Sequence, residues 1–329
     1  MRNFWSRRRF VLGGLTLPLY VARIAHGLAA DSGEAGAAAS YAVSISDAPW
    51  HDAQRNRLLP VKLRVPQGAR HTPVILFSHG LGGSREGGKV WSEHWATFGY
   101  LVVHIQHPGS DHASQPAYAN SLQQYLARIQ DVRFVLDELQ RRQLAHDPLL
   151  AQADLTRIGM SGHSFGAQTT LALSGMRLGH AVENGDIPFD ARVGAALAFC
   201  PTTAGPETTE SDYAFRFGSM LQPFMTITGT DDGEPSSIGY AWQNRQIPYQ
   251  YMPGPGKYLL VLKGADHWVY VGQPGVPRTV RPQDAVITRW TKLATTAFWD
   301  AHLKSDMNAR AWLDSFAGSL GGAGTFAQK

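Results

Sequence analysis

The stretch TRIGMSGHSFGAQTTLALSG, Thr156 to Gly175, sets one serine, Ser164, between glycines two residues away on either side. RIGM reads as a short apolar strand and AQTTLALSG as a helix, so Ser164 stands at the corner between them. A strand that turns directly into a helix leaves no room for side chains at Gly162 and Gly166. One at either place would meet the neighbouring strand or the turning helix. Ser164 itself is expected in a strained backbone conformation that lifts its hydroxyl clear of the sheet.

Outward from this corner the chain alternates strands with helices. PVILFS, YLVVHI, VGAALAFC, PFMTITG and KYLLVLK are near-continuous apolar runs, as in parallel strands buried on both faces. YAVSISD and PVKLRV alternate apolar with polar residues, as antiparallel edge strands do. Helix-like segments lie between them over Ser84 to Phe98, Asn120 to Gln143, Ala167 to Leu178 and Pro282 to Lys304. The expected fold class is therefore α/β, a doubly wound and mostly parallel sheet with helices on both faces. Thr202 to Leu221 and Gly233 to Gly256 break the rhythm and suit loops or a small cap over the carboxyl edge of the sheet. The last residues, 305–329, end in AGSLGGAGTFAQK, which has little to pack and reads as a mobile tail.

The formal charge of +4 in 329 residues raises a nucleic-acid reading, so its location matters. Arg2, Arg7, Arg8, Arg9 and Arg23 carry it. Without these five of the 30 basic residues, 25 face 26 acidic ones, a net of about −1, and the nucleic-acid reading loses its support. Residues 1–30 combine an arginine-rich start, a short apolar run from Val11 to Val21 and a small-residue end. That is an export signal, with cleavage expected after Ala29 or Ala30, and its apolar run is too short for a stable membrane span. SRRRFVL, Ser6 to Leu12, resembles the twin-arginine signal read by the machinery that exports folded proteins, so a periplasmic or secreted location is expected. Residues 31–40 form a Gly/Ala-rich linker before a domain over 41–304. The single cysteine, Cys200, can form no internal disulfide and reads as a small buried residue.

A serine hydroxyl becomes a nucleophile when a base takes its proton, and the base needs a carboxylate to fix its tautomer. In α/β-hydrolases, whose nucleophile sits on such a corner, the partners follow in the order serine, acid, histidine. His180, His267 and His302 follow Ser164. His267, in the short turn after KYLLVLK, can reach over the sheet edge; His302, in helical FWDAHLKS, reads as a surface residue. The preceding strand ends in Asp231 and Asp232, of which only one can reach the histidine, because successive side chains face opposite ways. Asp266 reads as structural. Backbone amides of Phe165 and of Leu81, in HGLGGSREG, would hold the developing oxyanion, with His79 bracing the loop. Trp268, Tyr240 and Trp242, with Tyr249 and Tyr251, are candidates for lining the substrate pocket. HIQHPGSDH offers His104, His107, Asp111 and His112, but its H-x-x-H lacks the helical spacing of a zinc site, so no metal and no cofactor is expected.

Taken in order, FSHGLGGSREG, HPGSDH, GHSFGAQTTLAL, TGTDD and PGKYLLVLKGADH resemble the α/β-hydrolases grouped with predicted dienelactone hydrolases and platelet-activating factor acetylhydrolases. The resemblance covers roughly Tyr41 to His302. It implies an α/β-hydrolase fold, serine esterase chemistry, Leu81 and Phe165 as oxyanion donors, and Asp232 as the acid through a G-T-x-D pattern. The chain departs from that group in two places. True dienelactone hydrolases carry a cysteine where this chain has Ser164, and plasma-type acetylhydrolases take their acid one strand earlier, where FCPTTAG has no aspartate. The expected activity is hydrolysis of a small-molecule or lipid-like ester through an acyl-enzyme. Phospholipase-like or polyester-cleaving activity, or a non-catalytic binding role, are the alternatives.

Overall fold

The computed structural model describes residues 41–108, 121–178, 188–202, 209–233, 241–276 and 278–329. The expected leader and linker, and also Tyr240, His180, Asp111 and His112, lie outside the described residues.

One sheet of nine strands runs in the order β1-β2-β4-β3-β5-β6-β7-β8-β9. Its edge begins with β1 (Val43–Asp52) and β2 (Arg57–Pro66), an antiparallel pair. Then come β4 (Leu101–Ile105), β3 (Thr72–Ser78), β5 (Ala153–His163), β6 (Val193–Phe199), β7 (Phe224–Asp231) and β8 (Lys257–Asp266), all parallel to one another. The apolar runs are the buried parallel strands: β3 and β4 are buried at every position. Within β4, Val102 joins one core while Leu101, Val103 and Ile105 join the other, as a period of two requires.

Helices cover both faces. On one side α1 (Lys89–Thr97), α6 (Asp284–Leu303) and α7 (Met307–Ser319) pack around the buried tryptophans Trp91, Trp95 and Trp299. A Cβ on Gly159 would stand 2.7 Å from the Trp299 ring, so β5 has a glycine where that ring crosses it. On the other side lie α2 (Ser121–Leu144), α3 (Phe165–Leu173) and α4 (Glu210–Phe217). The two irregular excursions do hold helices: α4 in the first, and α5 (Ile247–Tyr251) in the second, with Tyr213 and Tyr251 rings 5.5 Å apart.

The C-terminal residues correct the expectation of a mobile tail. Helix α7 packs Ala309, Leu313 and Phe316 into the core, and β9 (Gly324–Gln328) pairs antiparallel with β8. Phe326 stacks on Tyr258 at 5.9 Å. An edge strand is held mainly by backbone hydrogen bonds, to which side-chain composition is blind.

The order of strands reverses between β3 and β5, because β3 leads to β4 on one side and the chain then returns to β5 on the other. At such a switch point the loops leaving the two strands diverge and open a crevice at the carboxyl edge. The loop after β3 begins at His79 and the loop after β5 is Ser164. Among the described residues, no helix is long and apolar enough to cross a membrane.

Candidate active site

Ser164 occupies the strand-to-helix corner with φ 54° and ψ −114°, outside the ordinary regions for an L-residue. The two glycines permit it. A Cβ on Gly166 would lie 1.9 Å from the Ser78 carbonyl oxygen of β3, and one on Gly162 would lie 2.3 Å from the Gly166 oxygen. Ser164 is tied into place by its own N–H, which donates to the Phe199 carbonyl at 2.9 Å.

The adjacent aspartates separate as an extended backbone demands. Asp231 is half exposed and pairs with Arg281 at 3.4 Å, while Asp232 is fully buried. The Asp232 carboxylate accepts from His267 Nδ1 at 2.8 Å and from the Thr228 hydroxyl at 2.7 Å. With Nδ1 engaged by Asp232, Nε2 is the His267 ring nitrogen left outside this pair. Asp266 is structural: its carboxylate caps the Val269 N–H at 2.8 Å and pairs with Arg281 at 3.2 Å.

Three groups around this pair carry no signature in the sequence. Arg245, fully buried, brings Nε to 2.8 Å from Asp232 Oδ1 and donates to the Asp232 carbonyl at 2.7 Å and the Cys200 carbonyl at 3.1 Å. A buried ion pair of this kind compensates both charges and fixes the carboxylate in place. His163, just before the serine, donates Nε2–H to the His267 carbonyl at 3.0 Å, and burial pushes its cation well out of reach. Cys200 lies buried against the same carboxylate, and burial raises its thiol well above the usual range. His163, Cys200 and His267 bring ligand atoms within 4.8 Å of one another, but His267 Nδ1 is engaged by Asp232 and His163 Nε2 by a carbonyl.

Ser164 and His267 line one cavity of about 990 Å³, with Leu81, Phe165 and Trp268 also in its wall. The Ser164 hydroxyl has no hydrogen-bond partner among the described residues, so its link to His267 is open here. Such contacts commonly tighten only when substrate is bound. Phe165 opens α3, where a first-turn amide has no intrahelical acceptor. The loop of Leu81 lies directly over the corner: a Cβ on Gly80 would stand 3.5 Å from that of Ser164. Trp268 is about half exposed and meets His267 edge-on, with ring centroids 6.2 Å apart. Trp242 does not line this cavity. It opens a short 3-10 turn after β7, and the member of that turn which reaches the site is Arg245. Tyr249 and Tyr251 are also outside the cavity wall.

The Leu81 loop is braced from behind. Arg128 of α2, fully buried, donates to the His79 carbonyl at 2.6 Å and the Gly80 carbonyl at 3.2 Å, and its guanidinium lies 4.5 Å from the Phe165 ring. One side chain thus touches both segments that carry the expected oxyanion donors, Leu81 and Phe165. His79 is buried and accepts the His107 N–H at 3.1 Å, which is a bracing role. His104 stacks on Phe77 at 5.0 Å, and His107 joins a buried set with Ser78 and Asp131. His302 is not a surface residue: it bonds the Tyr258 hydroxyl at 3.0 Å and packs on Phe298, and burial lowers its pKa to about 4.

No protein-family model matches this chain, and no curated protein matches it significantly.

Proposed function

We propose that this protein is a serine hydrolase of carboxylic esters with an α/β-hydrolase fold, acting through Ser164, His267 and Asp232. The observation that carries the reading is the buried Asp232–His267 hydrogen bond of 2.8 Å beside a serine in strained conformation, His267 and Ser164 lining one cavity. In this mechanism His267 Nε2 takes the Ser164 proton as the oxygen attacks the ester carbonyl. The tetrahedral oxyanion is held by the Leu81 and Phe165 amides. Collapse expels the alcohol, which takes the proton from His267 and leaves an acyl-serine. A water deprotonated by His267 then attacks the acyl carbon, releases the carboxylic acid and restores Ser164. No step calls for a cofactor.

A second reading, action on esters at lipid or polymer surfaces, is favoured by exposed apolar groups at the cavity. Leu81 is 68% exposed and Trp268 48%. A series of 4-nitrophenyl esters of rising acyl length, run beside phospholipid vesicles and polyester film, separates the two. The serine mechanism is tested by a fluorophosphonate probe: mass spectrometry should find the label on the Ser164 peptide with loss of turnover. Labelling elsewhere, or turnover that survives labelling of Ser164, would overturn it. The export proposal is tested apart. An Arg7→Lys, Arg8→Lys precursor should accumulate folded in the cytoplasm, and normal export of that variant would remove the twin-arginine reading.

A further inference from the structure

Among the described residues that line the cavity, Arg216 is a cation that the mechanism does not use. Arg216, in the last turn of α4, lines the same cavity as Ser164. Its Nε is buried without a hydrogen-bond partner, and among the described residues no carboxylate lies within ion-pair distance of the guanidinium. Arg128 also has an unpartnered Nε, but its other two nitrogens donate to the His79 and Gly80 carbonyls, and Arg245 pairs with Asp232, whereas no hydrogen bond of the Arg216 guanidinium is formed among the described residues. A partly buried guanidinium without a partner is an unmet demand for an anion.

Its position relative to the reacting atoms follows from its neighbours. The charge of Arg216 acts on the buried Tyr125 hydroxyl, opposing the larger effect of burial, which raises that phenol. Tyr125 in turn donates to the Gln168 carbonyl at 3.2 Å, and its ring lies 6.1 Å from that of Phe165. Gln168 stands one helical turn beyond the serine, its N–H donating to the Ser164 carbonyl at 3.2 Å. Gln124, Gln168 and Thr202 line the cavity with Arg216, whereas the segment after β8 adds the apolar Trp268, Val271 and Val276. Arg216 thus shares its side of the cavity with polar groups of α2 and α3, and the segment after β8 adds Gln273 to its apolar residues.

We propose that Arg216 is a specificity-determining anion site, and that the substrate is an ester bearing a carboxylate paired with Arg216 while its carbonyl is at Ser164. The substrate class rests on the hydrolase reading above, whereas the anion site itself can be tested without it. The carboxylate could belong to the acyl part or to the alcohol part. Mono(4-nitrophenyl) glutarate against 4-nitrophenyl butyrate tests the first, and 4-butyryloxybenzoate against phenyl butyrate the second.

For one of these pairs, Arg216→Gln should lower the ratio of kcat/KM, anionic over neutral ester, by roughly tenfold or more, mainly through KM. Arg216→Lys should restore part of it, and Arg216→Glu should lower it further. A ratio that Arg216→Gln leaves unaltered for both pairs would overturn the proposal. Calorimetric titration with glutarate tests the site without turnover. Binding to the unmodified protein that Arg216→Gln abolishes supports the anion site even if no ester is cleaved, in which case the hydrolase reading alone falls. No glutarate binding, together with no preference for either anionic ester, would overturn the anion site.

Discussion

Among the described residues two Ser–His–Asp sets lie near the carboxyl edge of the sheet; each holds a His–Asp hydrogen bond, and only the second also joins its serine to its histidine. In the first, His267 Nδ1 bonds Asp232 at 2.8 Å and Ser164 opens onto a large cavity. In the second, Ser78 Oγ lies 2.9 Å from His107 Nε2, and His107 Nδ1 lies 2.8 Å from Asp131. By donor, acceptor and distance alone the second set is the more complete. Yet Ser78 ends a regular strand, its side chain is fully buried, and no substrate can approach it. Burial and the nearby Arg128, Arg57 and Arg55 hold the His107 pKa well below its ordinary value. A histidine that cannot become a cation cannot accept a serine proton. Arginine pairing does not separate the sets, since Asp131 bonds Arg55 at 2.9 Å and Arg57 at 3.0 Å and Asp232 pairs with Arg245 at 2.8 Å. The contrast teaches that access distinguishes the candidate site, and that the same three side chains sealed away make a brace.

The largest effect expected from this comparison is a split between the two serines. Ser164→Ala should lower ester turnover by roughly ten-thousandfold or more, with the fold retained, whereas Ser78→Ala should cost less than about fivefold. Steady-state kinetics with circular dichroism on both variants decides it, and the reverse order would break the comparison. The carboxylates should separate next. Asp232→Asn, which leaves His267 misoriented and its cation unstabilised, should lower kcat by roughly a thousandfold. Asp131→Asn should act on stability instead. It uncouples two arginines from a buried carboxylate at a cost of roughly 3 kcal/mol, read as a lower thermal midpoint.

The brace itself can be probed through Arg128. Arg128→Met removes the donors to the His79 and Gly80 carbonyls, so the Leu81 amide loses its fixed position. We expect kcat to fall by roughly 10- to 100-fold with KM little altered, since the proposed oxyanion contact would be made mainly in the transition state. An equal rise in KM with unchanged kcat would show that the loop binds substrate rather than the transition state. Asp231→Asn, at the exposed neighbour of the buried acid, should cost less than about tenfold.

The smallest expected effect concerns burial as the agent that silences a histidine. His302 has its pKa lowered to about 4. Below an ordinary value near 6.5 the unfolded chain takes up a proton that the folded chain refuses, so stability held above that pH is lost as pH falls toward 4. His302→Gln should therefore reduce the fall in thermal midpoint between pH 7 and pH 4.5. A fall as steep as in the unmodified protein would mean that other groups carry it.

The sequence by itself determined the scaffold of the site. Apolar runs long enough for buried strands placed the parallel sheet, and the Gly162–Ser164–Gly166 spacing placed the corner, because backbone clash at a strand-to-helix turn is a local matter. The ends of β7 and β8 were legible too, since the last residues of adjacent parallel strands share one edge. Arg128 left a faint trace: it stands with Asp131 next to Ile129, Val132, Val135 and Leu136, where α2 is otherwise apolar and buried. Arg245 and Arg216 left none, because a loop and a short helix have no period for a misplaced charge to violate. The residues alone left Asp231 and Asp232 open, the G-T-x-D resemblance pointed to Asp232, and the fold buries Asp232 against His267; only the tertiary structure decided that Trp242 stays out of the cavity and that the final residues complete the sheet. Each of these depends on which segment lies alongside another, and folding sets that by contacts between residues distant in the chain.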